Sequence, residues 1–397
     1  MSDVREQVKE YYSKMSVDNA GEMATHACSC GVDSLPRYIK DALAEIPEEI
    51  TSRFYGCGSP LPPALEGCTV LDLGCGTGRD VYLASKLVGP SGKVIGVDMN
   101  PDQLAFAKSH QAEMAEKFHD NVEFIESYIE DLSAIPDGSV DVVISNCVIN
   151  LSPMKEQVFK EIWRVLKIGG ELYFADIFAD RRVPAEINAN PVLLGECLGG
   201  AMYIEDFRRM MARVGWVDFR YVSSSATAID NPEIEALIGG INFSSRTIRA
   251  FKLPDTMEDI CEQYGQAAVY RGGIVGCEDA FTLDDHHRFP KGARVDVCGN
   301  TCSYLQDTRF GKYFDIYGDR SVHFGPFAGC GSAPSVGGSC CCGDESSSDD
   351  GSSCCGDTLS DDGSSCCGDA PAEGDSCCSS DEPAPDKGGC GCASGCC

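Results

Sequence analysis

Two groups of residues in this chain have the types and spacing for chemistry. The first is LDLGCGTGRD, which sets Gly74, Gly76 and Gly78 between an apolar run and a helical pattern. Glycine lets a backbone turn sharply and approach a ligand closely, and the start of a helix presents unpaired amides to an anionic group. The spacing lacks the third glycine position of the dinucleotide fingerprint, and no G-x-x-x-x-G-K-[ST] loop for nucleoside triphosphates occurs. Asp98 closes the next apolar run, where an acid would hold ribose hydroxyls. The second group is cysteine, 25 of them in 397 residues. The opening MSDVREQVKEYYSKM is charged and amphipathic, without the apolar stretch of a secretion signal, so a cytoplasmic protein is expected. Thiols are kept reduced there, which favours thiolate chemistry or soft-metal binding over a disulfide framework.

Composition narrows the partners. A formal charge of −30 opposes binding to nucleic acid or to an anionic membrane, because both need a basic surface. No run of 18 apolar residues is present to form a membrane-spanning helix.

The elements that must position these residues alternate. TVLDLGCG, KVIGVDM, NVEFIES, VDVVISN and ELYFADIF read as strands, and 79–88, 101–118, 155–166 and 204–215 as helices, with the break KIGG before the fifth strand. WVDFRYVSS and SSRTIRAFKL follow as further strands. This is an α/β pattern, a parallel sheet with helices on both faces. Four regions are expected: an N-terminal segment 1–66, the α/β domain 67–253, a small β or irregular appendage 254–328, and a tail 329–397. The tail holds 14 of the cysteines and 13 acidic residues against one lysine, and repeats SSCCGD at 352–357 and 364–369. It has too little apolar surface to fold, so a disordered acidic segment that binds soft metal or metalloid is expected.

The glycine loop, its spacing and Asp98 together resemble the class I S-adenosylmethionine methyltransferases, which have a Rossmann-like sheet. IEDLSAIP (129–136) resembles the acidic segment bordering adenine in that superfamily, and VLKIGGELYF the turn before its fifth strand. The resemblance implies S-adenosylmethionine as cofactor, held by Asp72, Gly74, Gly76, Gly78, Asp98, Met99, Ile129, Glu130 and Asn146. In such a sheet the acceptor sits at the end of the fourth strand, which here reads Ser145-Asn146-Cys147. The Asn/Asp-Pro-Pro-aromatic motif of amine methylation is absent, so sulfur either is methylated or holds the acceptor.

Four longer strings, HACS (26–29), YGCG (55–58), SNCVINL (145–151) and GECLGGAMY (195–203), resemble those of the arsenite S-adenosylmethionine methyltransferases, and the similarity extends to about residue 328. The resemblance implies that Cys147 and Cys197 are the main arsenic ligands and that Cys57 joins them from a loop. It also implies that Cys28 pairs with Cys57 in an exchange restoring trivalent arsenic. Thioredoxin or glutathione is expected as the reductant of a disulfide formed in turnover, and a monomer as the working unit. Soft, thiophilic arsenic suits thiolate ligands, and its remaining lone pair is the nucleophile. Tyr55 and Glu196 are expected to shape the pocket. Cys30 is expected to be idle, and Cys75 to be a small residue in a tight turn. Cys298-x-x-x-Cys302 has zinc-like spacing, but buried thiols are the commoner outcome, and DDHHRFP with His286 and His287 reads as a solvated loop. The competing readings are a methyltransferase for a small quinone or thiol, a non-enzymatic metal scavenger built on the tail, and a structural zinc site made from the four cysteines.

Overall fold

The structure is a computed structural model that describes residues 35–53, Gly56, 60–328 and, near the start of the chain, Arg5, Glu6, Val8 and Lys9. The chain divides into two compact units, Met1–Gly338 and Ser339–Cys397, and every described residue belongs to the first. The cysteine-rich tail, Cys28, Cys30, Tyr55 and Cys57 lie outside the described residues.

The strands are β1 (Thr69–Leu73), β2 (Lys93–Asp98), β3 (Val122–Glu126), β4 (Val140–Asn146), β5 (Leu166–Ala179), β6 (Met202–Tyr203), β7 (Arg220–Ala226) and β8 (Phe243–Phe251). Their order is β3-β2-β1-β4-β5-β8-β7, with the short β6 also pairing β5. The strand order reverses between β1 and β4, so the ends of these two strands flank a crevice. Helices cover both faces as the alternation predicts. One face packs on the helices Lys155–Val165 and Ile204–Val214, the other on Arg37–Leu43, Arg79–Val88 and Pro101–Ser109.

The structure corrects several details of the sequence reading. The sheet is mixed, because β8 runs antiparallel to both β5 and β7; an antiparallel edge on a parallel sheet is common. The segment KIGG is drawn into β5 rather than standing as a break. Gly169 N donates to Lys252 O at 2.8 Å and Lys252 N to Gly170 O at 2.9 Å, so the end of β8 holds it in register. The helix 101–118 is two helices, Pro101–Ser109 and Gln111–Lys117. Ser109 Oγ and His110 Nδ1 both bond Phe106 O, a local competition that ends the first helix. The seventh strand starts at Arg220 rather than Trp216, and Trp216 is buried among Phe159 and Trp163 instead.

The region after Leu253 builds a three-stranded sheet from β9 (Gln266–Tyr270), β12 (Arg294–Val297) and β13 (Phe314–Tyr317), beside the hairpin of β10 (Ala280–Thr282) and β11 (Arg288–Pro290). It also contains a helix, Gly299–Gln306, that the sequence reading missed because its apolar residues show little helical periodicity. Cys298 caps that helix, its sulfur accepting from Thr301 N, and Cys302 Sγ accepts from Gln266 Nε2 at 3.0 Å. The two thiols serve packing and capping. DDHHRFP is only partly solvated: Asp284 is buried and accepts from the backbone amides of His286 and His287 and from the His287 ring. The small region is tied to the large sheet by buried Glu171, which meets both Arg249 of β8 and Arg309. Breaking such a buried network costs several kcal/mol, about 3–5. Among the described residues no helix is long and apolar enough to cross a membrane.

Candidate functional site

The loop after β1 wraps around the end of β2. Gly74, Gly76 and Gly78 have φ of 70°, 52° and 86°, the left-handed region open to glycine. Gly74 N and Cys75 N donate to Val97 O, and Gly76 N donates to Asp98 Oδ2 at 2.8 Å. The other oxygen of Asp98 accepts from Asn100 N at 2.8 Å. The acid expected to meet the ribose is thus held in place by the glycine loop itself. Burial raises its pKa, and the amides of Asn100, Gly76 and Met99 pull it back.

A cavity opens above this loop. Asp72, Gly74, Gly76, Asp98, Met99, Ile129, Glu130, Asn146 and Cys147 all line it. Gly78, expected with them, does not. A Cβ there would come within 3.3 Å of Phe124, Tyr82 and Ala107, so Gly78 lets the helix pack closely instead. The lining carries both signs of charge, Asp72, Asp80, Asp98 and Glu130 with Arg5, Lys9, Arg53 and Arg79. Asp72 is buried, and desolvation together with neighbouring Asp80 and Asp98 raises its pKa well above normal. A cation beside buried Asp72 and Asp98 relieves that desolvated pair, so this part of the lining fits S-adenosylmethionine, a cationic nucleoside. Arg5, Val8 and Lys9 from the start of the chain also line the cavity, and the Arg5 guanidinium lies 4.6 Å from the ring centre of Tyr128.

Cys147 stands where β4 leaves the sheet. Its amide still donates to Ala175 O of β5 at 2.9 Å, but its φ is 54°. Cys197 follows the short helix Pro191–Gly195, at a place where a left-handed residue ends helices and glycine is usual, and its φ is 64°. Among the described residues the only other non-glycine with positive φ is Ala64. A left-handed residue with a Cβ costs about 1–2 kcal/mol. Both positions therefore carry strain that a glycine would relieve, and both hold a thiol-bearing residue instead.

The glycines of GECLGG explain how the two come together. A Cβ on Gly200 would fall 2.0 Å from Asn150 O, and one on Gly199 2.9 Å from Leu194 N. The chain after Cys197 therefore lies flat against the loop after Cys147. The sulfurs of Cys147 and Cys197 and a carboxylate oxygen of Asp176 lie within 4.8 Å of one another, all three residues buried. Cys147 is disulfide-bonded, and it must be reduced before it can act as a ligand. Cys197 instead donates from Sγ to Cys147 O at 2.9 Å. Glu196 is buried beside it.

Asp176 was not legible as a site residue. It sits near the end of β5 and accepts from Asn150 N at 3.1 Å, Asn150 Nδ2 at 2.7 Å and Ile177 N at 2.9 Å. Burial pushes its pKa up to about 7 against the pull of those amides and of Lys155. Its one sequence signal is a lone acid in the otherwise apolar end of ELYFADIF.

Known proteins resemble this chain in sequence and fold. A methyltransferase domain model matches residues 64–215, and an arsenite methyltransferase C-terminal domain model matches 263–397. The arsenite methyltransferase of Aquipseudomonas alcaligenes is 47% identical over 349 residues, covering 85% of this chain and 100% of that protein. That of Mus musculus is 40% identical over 318 residues, covering 79% and 83%. The crystal structure of an arsenic(III) S-adenosylmethionine methyltransferase from Chlamydomonas reinhardtii is 47% identical with a TM-score of 0.72, covering 74% of this chain and 100% of that one. With whole-length relatives at this identity, and with a glycine-looped cavity lined by one member of the buried cysteine pair, the chain belongs to the arsenite methyltransferase family.

Proposed function

We propose that this chain carries out the reaction for which its family is named, the S-adenosylmethionine-dependent methylation of thiol-bound trivalent arsenic to mono- and dimethylated arsenicals. The observation that carries the reading is the meeting of Cys197 with Cys147, which itself lines the glycine-looped cavity. S-adenosylmethionine, when bound, supplies an electrophilic methyl on a positively charged sulfur. Asp98 and the Gly74–Gly76 backbone suit its nucleoside, and Ile129 and Glu130 border the same cavity.

The chain's own part is to hold the nucleophile. Thiolates of Cys147 and Cys197 bind arsenic, with Cys57 as the third ligand proposed from its motif. Each thiol proton leaves with an arsenite hydroxide as water, so acid slows the exchange by depleting thiolate rather than by altering the proton balance. Arsenic bonded to three sulfurs keeps one lone pair and no proton, so no general base is needed. Holding that lone pair against the methyl supplies much of the rate by proximity and orientation. Transfer raises arsenic to the pentavalent state. Two thiolates return it to the trivalent state by giving up two electrons and forming a disulfide, for which Cys28 and Cys57 are the proposed pair. An external dithiol or glutathione then reduces that disulfide.

The test is turnover of the purified full chain with arsenite, S-adenosylmethionine and a thiol reductant, its products separated and identified by mass. Methylarsenicals are expected, and their absence refutes the reading. The quinone or thiol reading predicts instead that the cysteines are separately dispensable. The scavenger reading predicts that function ends when the tail is removed.

A further inference from the structure

We infer that Asp176 is the counter-ion of the methyl transfer, a fixed carboxylate on the arsenic side of the reaction toward which the positive charge moves. The inference rests on the arsenic-methylating reading above. In that step an As–C bond forms as the S–CH3 bond breaks. Arsenic supplies the electron pair, its formal charge rises by one as that of the sulfonium falls by one, and no proton moves. A group that favours the transition state must therefore lie nearer to arsenic than to the cofactor.

Asp176 has that placement. Its carboxylate oxygen lies within 4.8 Å of both Cys147 Sγ and Cys197 Sγ. Of these three residues only Cys147 lines the cofactor cavity, while Cys197 and Asp176 lie outside its lining and against Cys147. Charge passing from the cavity to an atom held by the two sulfurs passes toward the carboxylate. The carboxylate is also fixed before the reaction begins, by Asn150 N, Asn150 Nδ2 and Ile177 N. Lys155, the cation that faces it, does not neutralise it by contact, since its Nζ donates to Asn150 O at 2.9 Å and Ser152 O at 2.8 Å. Holding the Asn150 loop would need only a neutral acceptor, and a buried carboxylate is a costly choice for that task alone. In a site shielded from water its field on the sulfurs is strong.

The experiment compares the full-length wild type with Asp176→Asn and Asp176→Glu at pH 8.5, where a carboxyl raised to about 7 is ionised. It measures kcat and KM for arsenite and for methylarsonous acid, and separately the affinity for methylarsonous acid without S-adenosylmethionine. The expected result for Asp176→Asn is a kcat lower by about tenfold to a hundredfold, with cofactor-free affinity and KM within about threefold of wild type. Asp176→Glu should recover part of the kcat, because it keeps the charge. An unchanged kcat in Asp176→Asn overturns the inference, and so does a joint loss of affinity and kcat, which would mark Asp176 as scaffold. Should the Asn variant fail to fold, the Glu variant decides. A kcat above about a tenth of wild type supports the counter-ion, and a folded, arsenic-binding Glu variant below about a hundredth overturns it. A wild type that yields no methylarsenical overturns the proposed function itself, whereas an Asn variant as fast as an active wild type overturns this inference alone.

Discussion

The Cys197 thiol donates to the main-chain carbonyl of Cys147 at 2.9 Å, and both residues adopt left-handed backbone. The Cys197 sulfur is thus aimed by the backbone of Cys147, 50 positions away. Once Cys147 is reduced, the two sulfurs already lie side by side when arsenic arrives.

Losing either thiol should therefore end all chemistry. Cys147→Ser and Cys197→Ser are expected to lower turnover of both arsenite and methylarsonous acid by at least about a thousandfold. Cys28→Ser and Cys57→Ser are expected to spare methylation of the already methylated substrate. Product analysis for the four variants on the two substrates checks this division, and equal losses in all four would refute it.

The backbone strain makes a separate prediction about stability. Cys197→Gly and Cys197→Ala both remove the sulfur, but only glycine occupies φ 64° without penalty. After allowing for glycine's greater unfolded-state entropy, the Gly variant should be more stable than the Ala variant by about 0.5–1 kcal/mol. Chemical denaturation of the pair under reducing conditions measures the difference.

Gly74→Ala should injure both fold and cofactor affinity. Its φ is 70°, and the added methyl would lie 2.5 Å from Val148 Cγ1, beside Cys147. A stability loss of about 1–3 kcal/mol is expected, with KM for S-adenosylmethionine raised about tenfold. Thermal melts and a cofactor titration read the two effects.

Alkaline stability should respond to Cys302. Burial pushes this thiol up to about 11, with Asp307 acting in the same direction. An ordinary thiol in the unfolded chain titrates near 8.5, so between pH 9 and 11 the folded chain keeps a proton that the unfolded chain has lost. Stability from this group is complete below that window and falls as the pH rises through it. Against Cys302→Ala, the wild type should lose more stability between pH 8 and 11. Parallel denaturation curves at the two pH values would contradict the assignment if the difference between the proteins stayed constant.

Ending the chain after residue 328 should leave methylation intact, because the cavity and the cysteine pair lie within 5–328. Turnover by the shortened chain under the same reductant is the measurement, and a complete loss would assign the tail a part in the reaction.

Much of this was written in local sequence. The glycine loop, Asp98 and the first four strands were readable because strand period, helix start and turn chemistry depend on neighbours a few residues apart. Cys147 was readable as a thiol at a strand end, and Cys197 through the string GECLGG. Other features were not. KIGG looked like a break because its pairing partner, Lys252, lies more than 80 residues away. Gly78 looked like a ligand residue because its spacing matched, and only packing against Phe124, Tyr82 and Ala107 showed its other use.

The sequence by itself determined the fold class, the cofactor class and the thiols available for a soft acceptor, because residue type and periodicity carry those. The tertiary structure alone decided that Cys147 and Cys197 meet through left-handed backbone, that Gly200 lies on Asn150, and that Asp176 faces both sulfurs. Those relations join β4, β5 and the 195–203 segment, and no local preference encodes the distance between residues that only folding makes neighbours.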